Sequence, residues 1–273
     1  PSSIESDAIQ LTPIQQWFLT DYKGNKNHYN QSILLEILIP VESSVILTAL
    51  QQTFKNYTIL SRLYKDAWVE GIEPNVKLYK CLSDIEITEK CSTIQSSFNL
   101  ETGPVAGGAV FEKNNQIFLF VCIHHFYCDG YTWRIFLDEL QEVLKGRINA
   151  QLSSETYGKT RKRFTDLANE CSIQSSDFYN KQIQNPFDGW TNYTFSTSKY
   201  LEWEWTNEQT RWFQFGDEIG KTVNEKFLFL FIKTWMELNY APSTIFFETH
   251  GRSYTGIPEL SETIGWFTQF YPV

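Results

Sequence analysis

Residues 117–140 carry the pattern that most restricts how this chain can fold. A short apolar run, Ile117-Phe-Leu-Phe-Val-Cys-Ile123, is followed by His124-His-Phe-Tyr-Cys-Asp-Gly130. Then comes Tyr131-Thr-Trp-Arg-Ile-Phe-Leu-Asp-Glu-Leu140, whose apolar residues recur at helical spacing. The run is too short for a core helix and reads as a strand, so strand, tight turn and helix follow without an intervening loop. Two of the chain's 4 histidines sit at that junction. A side chain at a strand-to-turn junction is held firmly and can still reach a substrate. A histidine there can move protons near neutrality, because its unperturbed pKa is ~6.5.

The same mixture continues along the chain. Thr12 with Pro13 reads as N-cap and first residue of a helix through Leu19. Tyr29 to Ile39 reads as a strand ended by Pro40, Val45 to Tyr57 as a helix, and Ser61 to Val69 as a strand. Asn114-Asn115 marks a turn, so residues 105–123 form a hairpin. The helix from Tyr131 to Leu144 ends at Lys145-Gly146. Residues 147–198 are polar and read as a connection containing one helix around Phe164 to Tyr179. Tyr200 to Trp205 alternates as a strand does. Lys221 to Leu238 is a helix that would bury Val223, Phe227, Leu230, Phe231 and Trp235. Ser243 to Thr249 is a short strand, ending at His250-Gly251-Arg252. Interleaved helices and strands argue for an α/β sandwich rather than a bundle or barrel.

Composition narrows the function classes. With 23 basic and 32 acidic residues, the net charge of −9 argues against general binding to nucleic acid or anionic lipid. The 5 cysteines (81, 91, 122, 128 and 171) show no metal-ligand spacing and read as reduced thiols of a cytoplasmic protein. No apolar run approaches the ~18 residues of a membrane span. The sequence closes on the apolar stretch Gly265-Trp-Phe-Thr-Gln-Phe-Tyr-Pro-Val273, which suggests a piece of something larger.

Each site residue has a plainer reading beside the functional one. His124 and His125 would face opposite sides if the strand reaches them, and a buried, hydrogen-bonded pair is the bland alternative. Asp129 can simply cap the following helix, with Gly130 allowing the turn. Glu248-Thr-His-Gly-Arg252 is a weak signal alone. Arg62 is ordinarily a surface residue, unless a buried acid such as Asp129 pairs with it.

Together these segments resemble the condensation superfamily of nonribosomal peptide synthetases, and most closely its epimerization domains. The superfamily signature His-His-x-x-x-Asp-Gly is met by His124, His125, Asp129 and Gly130. Pro13-Ile-Gln-Gln-Trp-Phe18, with Trp17, is similar to the epimerization-type opening segment. Trp133-Arg-Ile135 is similar to its Trp-Arg-Ile continuation, with Thr132 for the usual serine. Ile264-Gly-Trp-Phe-Thr268 with Tyr271-Pro-Val273, containing Trp266 and Thr268, resembles its Val-Gly-Trp-Phe-Thr-x-x-x-Pro-Val. Arg62 falls where the superfamily has the arginine that pairs with the motif aspartate. Three departures stand out: Glu248-Thr-His-Gly-Arg-Ser253 for Glu-Gly-His-Gly-Arg-Glu, Glu262 for an arginine, and a short linker between lobes.

The resemblance implies an α/β two-layer sandwich of chloramphenicol acetyltransferase-like type, with two lobes in a V and the second lobe incomplete. Residues 1–165 would form the N-terminal lobe and residues 166–273 the start of the C-terminal lobe. It further implies L/D epimerization at Cα of an aminoacyl or peptidyl thioester. A peptidyl carrier protein and other synthetase modules would be partners, with substrate delivered on 4'-phosphopantetheine and no cofactor or metal held by the domain. His125 and Glu248 would be the catalytic acid/base pair. His124, Asp129, Gly130 and Arg62 would support the site, and Trp17, Trp133, His250, Arg252, Trp266 and Thr268 would line or shape it. The alternatives are a condensation domain forming amide bonds and an inactive relic that only docks a carrier.

Overall fold

The computed structural model describes residues 11–146, 223–237, 246–252 and 261–272. The expected helix around 164–179, the strand at 200–205 and Ser253 lie outside these residues, as do residues 147–222 as a whole.

Strands β5 (Ala106–Lys113) and β6 (Gln116–His124) form the predicted hairpin. Asn114 and Asn115 connect them at φ 50° and 63°. This left-handed pair is what a two-residue hairpin connection with the twist of the strands requires, and asparagine tolerates it. β1 (Asn30–Ile37) pairs antiparallel with the other edge of β6, and β4 (Asn75–Lys80) pairs parallel with β5, giving the order β1-β6-β5-β4. A parallel pair needs a crossover. It is supplied by α3 (Asp84–Ser96), whose N-cap Ser83 accepts a hydrogen bond from the Glu86 amide at 3.3 Å.

Alternation along β6 divides the core in two. Leu119, Val121 and Ile123 join a large cluster with residues of α1 (Pro13–Thr20), α2 (Ser43–Asn56) and α4 (Gly130–Leu144), among them Phe18, Leu50, Phe54, Phe136 and Leu140. Phe120 and Cys122 pack on the opposite face with Ile87 and Cys91 of α3. The close approach of α2 depends on Gly108. A Cβ there would stand 2.7 Å from the Phe120 carbonyl oxygen and 2.9 Å from Leu50 Cδ2.

Two expectations change. Residues 61–69 form a small hairpin, β2 (Arg62–Tyr64) and β3 (Trp68–Glu70), instead of one strand. The chain reverses at Lys65-Asp66, where Asp66 adopts φ 59° and the Lys65 amide donates to the Ala67 carbonyl. Helix α5 (Val223–Glu237) forms as expected, but Phe227, Leu230 and Phe231 are 58%, 37% and 49% exposed. Helical spacing locates an apolar stripe without saying what covers it.

The chain divides into two compact units, residues 1–175 with 248–271, and residues 176–247 with 272–273. The resemblance would place 166–273 in a second lobe; of the described residues in that range, 248–252 and 261–271 group with the first unit. β7 (Phe246–Thr249) and β8 (Gln269–Pro272) form a two-stranded sheet.

Candidate active site

The two histidines have separate environments. His124 is the last residue of β6 and is fully buried. Its Nδ1 accepts from the Phe126 amide at 3.1 Å, so Nε2 carries the proton and donates to the Lys26 carbonyl at 2.7 Å. Burial lowers its pKa to about 4. At neutral pH it is an uncharged fixture with both nitrogens occupied.

His125 opens a 3₁₀ turn through Tyr127, its amide held by the Tyr29 carbonyl at 2.7 Å. Its ring lies between Trp266, at 4.5 Å between centroids, and Tyr29, stacked at 5.2 Å. Nδ1 is buried and has no hydrogen-bond partner among the described residues, while the residue as a whole is only partly buried. The pKa is lowered, first by burial. The carbonyls of His125 and Cys128 and the charges of Asp129 and Glu248 oppose that shift. His125 therefore stays neutral, and with Nδ1 covered, Nε2 is the nitrogen that can work. Strand alternation alone would point the pair to opposite faces; the change from strand to 3₁₀ turn is what separates them.

Asp129 caps α4 by accepting from the Thr132 amide at 2.9 Å. Its carboxylate also receives Arg252 at 2.9 and 3.0 Å and the Phe267 amide at 3.2 Å. The Thr132 hydroxyl lies 2.9 Å from Asp129 Oδ1 and 3.0 Å from the Gly265 carbonyl, and accepts from the Gly265 amide at 3.1 Å. Arg252 spans Tyr131 and Phe267, 4.8 and 4.7 Å from their ring centres, and donates to the carbonyls of Thr263 and Gly265. A buried charge needs such partners, and here the pair is completely enclosed.

This corrects the expected partner of Asp129. Arg62 lies on β2 opposite Glu70 and is partly exposed. The ion pair is made by Arg252, because the carboxylate at the start of α4 turns toward the 248–268 segment. A clue was available: an arginine directly after a left-handed glycine. Gly251 has φ 67°, and a Cβ there would collide with the Phe267 carbonyl oxygen.

An open cleft of about 440 Å³ lies at the start of α4, lined by Asp129, Gly130, Tyr131, Arg134, Glu248, Thr249, His250 and Thr268. Glu248 and His250 are exposed, and His250 stacks on Tyr131 at 5.6 Å. Trp266 is buried over His125, whereas Trp133 donates to Gln31 at 2.7 Å and ties α4 to β1. Trp17 packs near Tyr22, at 6.3 Å, and does not line the cleft. Sequence reasoning missed Gln15, Thr132 and Tyr29. The Thr12-x-x-Gln15 spacing is a capping-box signal that could have found the first.

A mixed sheet that ends in a histidine pair, backed by α2 and an aspartate-capped α4, is the chloramphenicol acetyltransferase-like architecture. Within that class, the condensation-domain family model matches residues 5–273, and the chain belongs to that family. Gramicidin S synthase 1 of Brevibacillus brevis is 26% identical over 97% of this chain, which spans 27% of that protein. The epimerization domain from the third module of tyrocidine synthetase B superposes with a TM-score of 0.69 at 22% identity, covering 97% of this chain and 68% of that one. The first condensation domain of the calcium-dependent antibiotic synthetase gives 0.61 at 13%, covering 97% and 69%.

Proposed function

We propose that the chain serves epimerization of an aminoacyl or peptidyl thioester carried on the phosphopantetheine arm of a peptidyl carrier protein. In one direction His125 Nε2 removes the α-proton, leaving its electron pair in the enolate. Glu248 delivers a proton to the opposite face of Cα, exchange with water restores both groups, and the reverse direction exchanges their roles. The observation that carries this reading is geometric: His125, held between Trp266 and Tyr29, sits in the turn that leads directly into α4. The first residues of α4 line an open cleft together with Glu248, although His125 itself is not among the lining residues. A general base should be neutral at working pH, and burial of His125 supplies that.

The test is deuterium incorporation at Cα of a thioester loaded on carrier protein. His125→Ala and Glu248→Gln should each slow wash-in by ~10²–10⁴-fold. Because the His125 pKa is lowered, the acid limb of kcat/KM should fall below pH 6.5. Normal wash-in by His125→Ala would end the proposal. Amide formation that survives Glu248→Gln would assign the chain to condensation chemistry. Binding of loaded carrier without exchange would mark a docking relic.

A further inference from the structure

We infer that Gln15 and Thr12 are positioning residues for His125, acting as a clamp that fixes both walls of its ring pocket. The inference rests on His125 being the reacting base.

Gln15 is fully buried in the first turn of α1. Its Oε1 accepts from the Thr12 amide at 3.0 Å, which fixes the amide's orientation. Nε2 is thereby aimed at the Phe126 carbonyl, to which it donates at 2.6 Å. Phe126 directly follows His125, so this bond holds the 3₁₀ turn from which the imidazole projects. Thr12, also fully buried, extends its hydroxyl to the Trp266 carbonyl, 2.9 Å away. Trp266 is the ring that meets His125 at 4.5 Å. One helical turn therefore grips the backbone under the imidazole and the backbone behind the indole that covers it. Neither residue lines the cleft. A buried amide that receives at one end and donates at the other has no rotational freedom left, because every alternative orientation leaves a polar atom unsatisfied.

Gln15→Met keeps the length and removes the hydrogen bonds to Thr12 and Phe126. In the full chain it should lower kcat for deuterium wash-in by roughly 10- to 100-fold, as ~1 Å errors in placement do, with little change in KM for the loaded carrier. A second readout needs no turnover. Only 4 histidines are present, so imidazole NMR resonances can be followed one by one. Loosening the turn admits water to a ring whose titration is lowered mainly by burial. The His125 midpoint should therefore rise toward the ordinary histidine value in Gln15→Met, with the His124 signal unchanged. Thr12→Val should produce the same pair of effects by releasing Trp266, and Thr12→Ser, which keeps the hydroxyl, should reverse most of them.

If wash-in and the His125 titration are both unaltered in folded Gln15→Met, the clamp is wrong. Should Gln15→Met fail to fold, Thr12→Val against Thr12→Ser decides by the same two measurements. A parent chain that shows no exchange would remove the proposed function. The NMR comparison would still test whether Gln15 sets the imidazole's environment.

Discussion

Asp129 and Arg252 are each at least 93% buried, and each satisfies the other's charge. Removing one member leaves the other charge enclosed without compensation, which costs ~3–5 kcal/mol. Asp129→Ala should lower stability in chemical denaturation by about that much, and Arg252→Met should do likewise. Arg62→Ala, at a partly exposed hairpin position, should stay within ~1 kcal/mol. Equal losses for Arg62→Ala and Arg252→Met would show that the pairing of Asp129 with Arg252 is not the one that matters. His124 gives a pH signature at the same scale. Its pKa is lowered from 6.5 to about 4, so the folded state binds fewer protons than the unfolded chain in that window. Stability is complete above pH 6.5 and falls as pH drops toward 4, by an amount on the order of 3 kcal/mol. His124→Asn should flatten that slope in melting curves taken across the interval. The role of His124 as a fixed support was legible from its place before His125. Its lowered pKa was not, because it comes first from burial, and how Phe18 and Tyr127 close around the ring is not encoded in local spacing.

Among the elements, those with strong local chemistry were legible and those without it were not. The β5–β6 hairpin was announced by Asn114-Asn115, and α4 by Asp129-Gly130 at one end and Gly146, φ 72°, at the other. α1 was announced by Thr12-Pro13. β4 and α3 escaped notice because their apolar residues are sparse: β4 buries only Val76, and α3 only Ile87 and Cys91. Their periodicity is faint until the packing of β5 is known. The partner of Asp129 was misassigned for a related reason. Long-range pairing of a carboxylate depends on how distant segments meet, and spacing along the chain does not encode that. Gly108 offers a check on how the elements fit. Gly108→Ala places a methyl against the Phe120 carbonyl and Leu50, and should cost ~1–3 kcal/mol. A melting temperature unchanged from the parent would mean that α2 stands further from β5 than this contact requires.

For the molecule as a whole, 248–271 belongs to the same compact unit as the histidine motif, although more than a hundred residues separate them in sequence. The tie is specific: the Phe267 amide donates to Asp129, and Thr132 exchanges hydrogen bonds with Gly265. These amides should exchange hydrogen only on global unfolding of the unit, with protection matching that of Val121 and Ile123 in β6. Faster exchange at Gly265 and Phe267 than in β6 would show that the segment opens on its own.

The bond between Asp129 and Arg252 also sets a rule for recombination. A chimera that takes the histidine segment from one synthetase and the Glu-x-His-Gly-Arg segment from another must bring partners shaped to each other. A crossover between them separates an aspartate from the guanidinium built to meet it. Donor and recipient blocks should therefore be exchanged with residues 124–132 and 248–268 from the same parent.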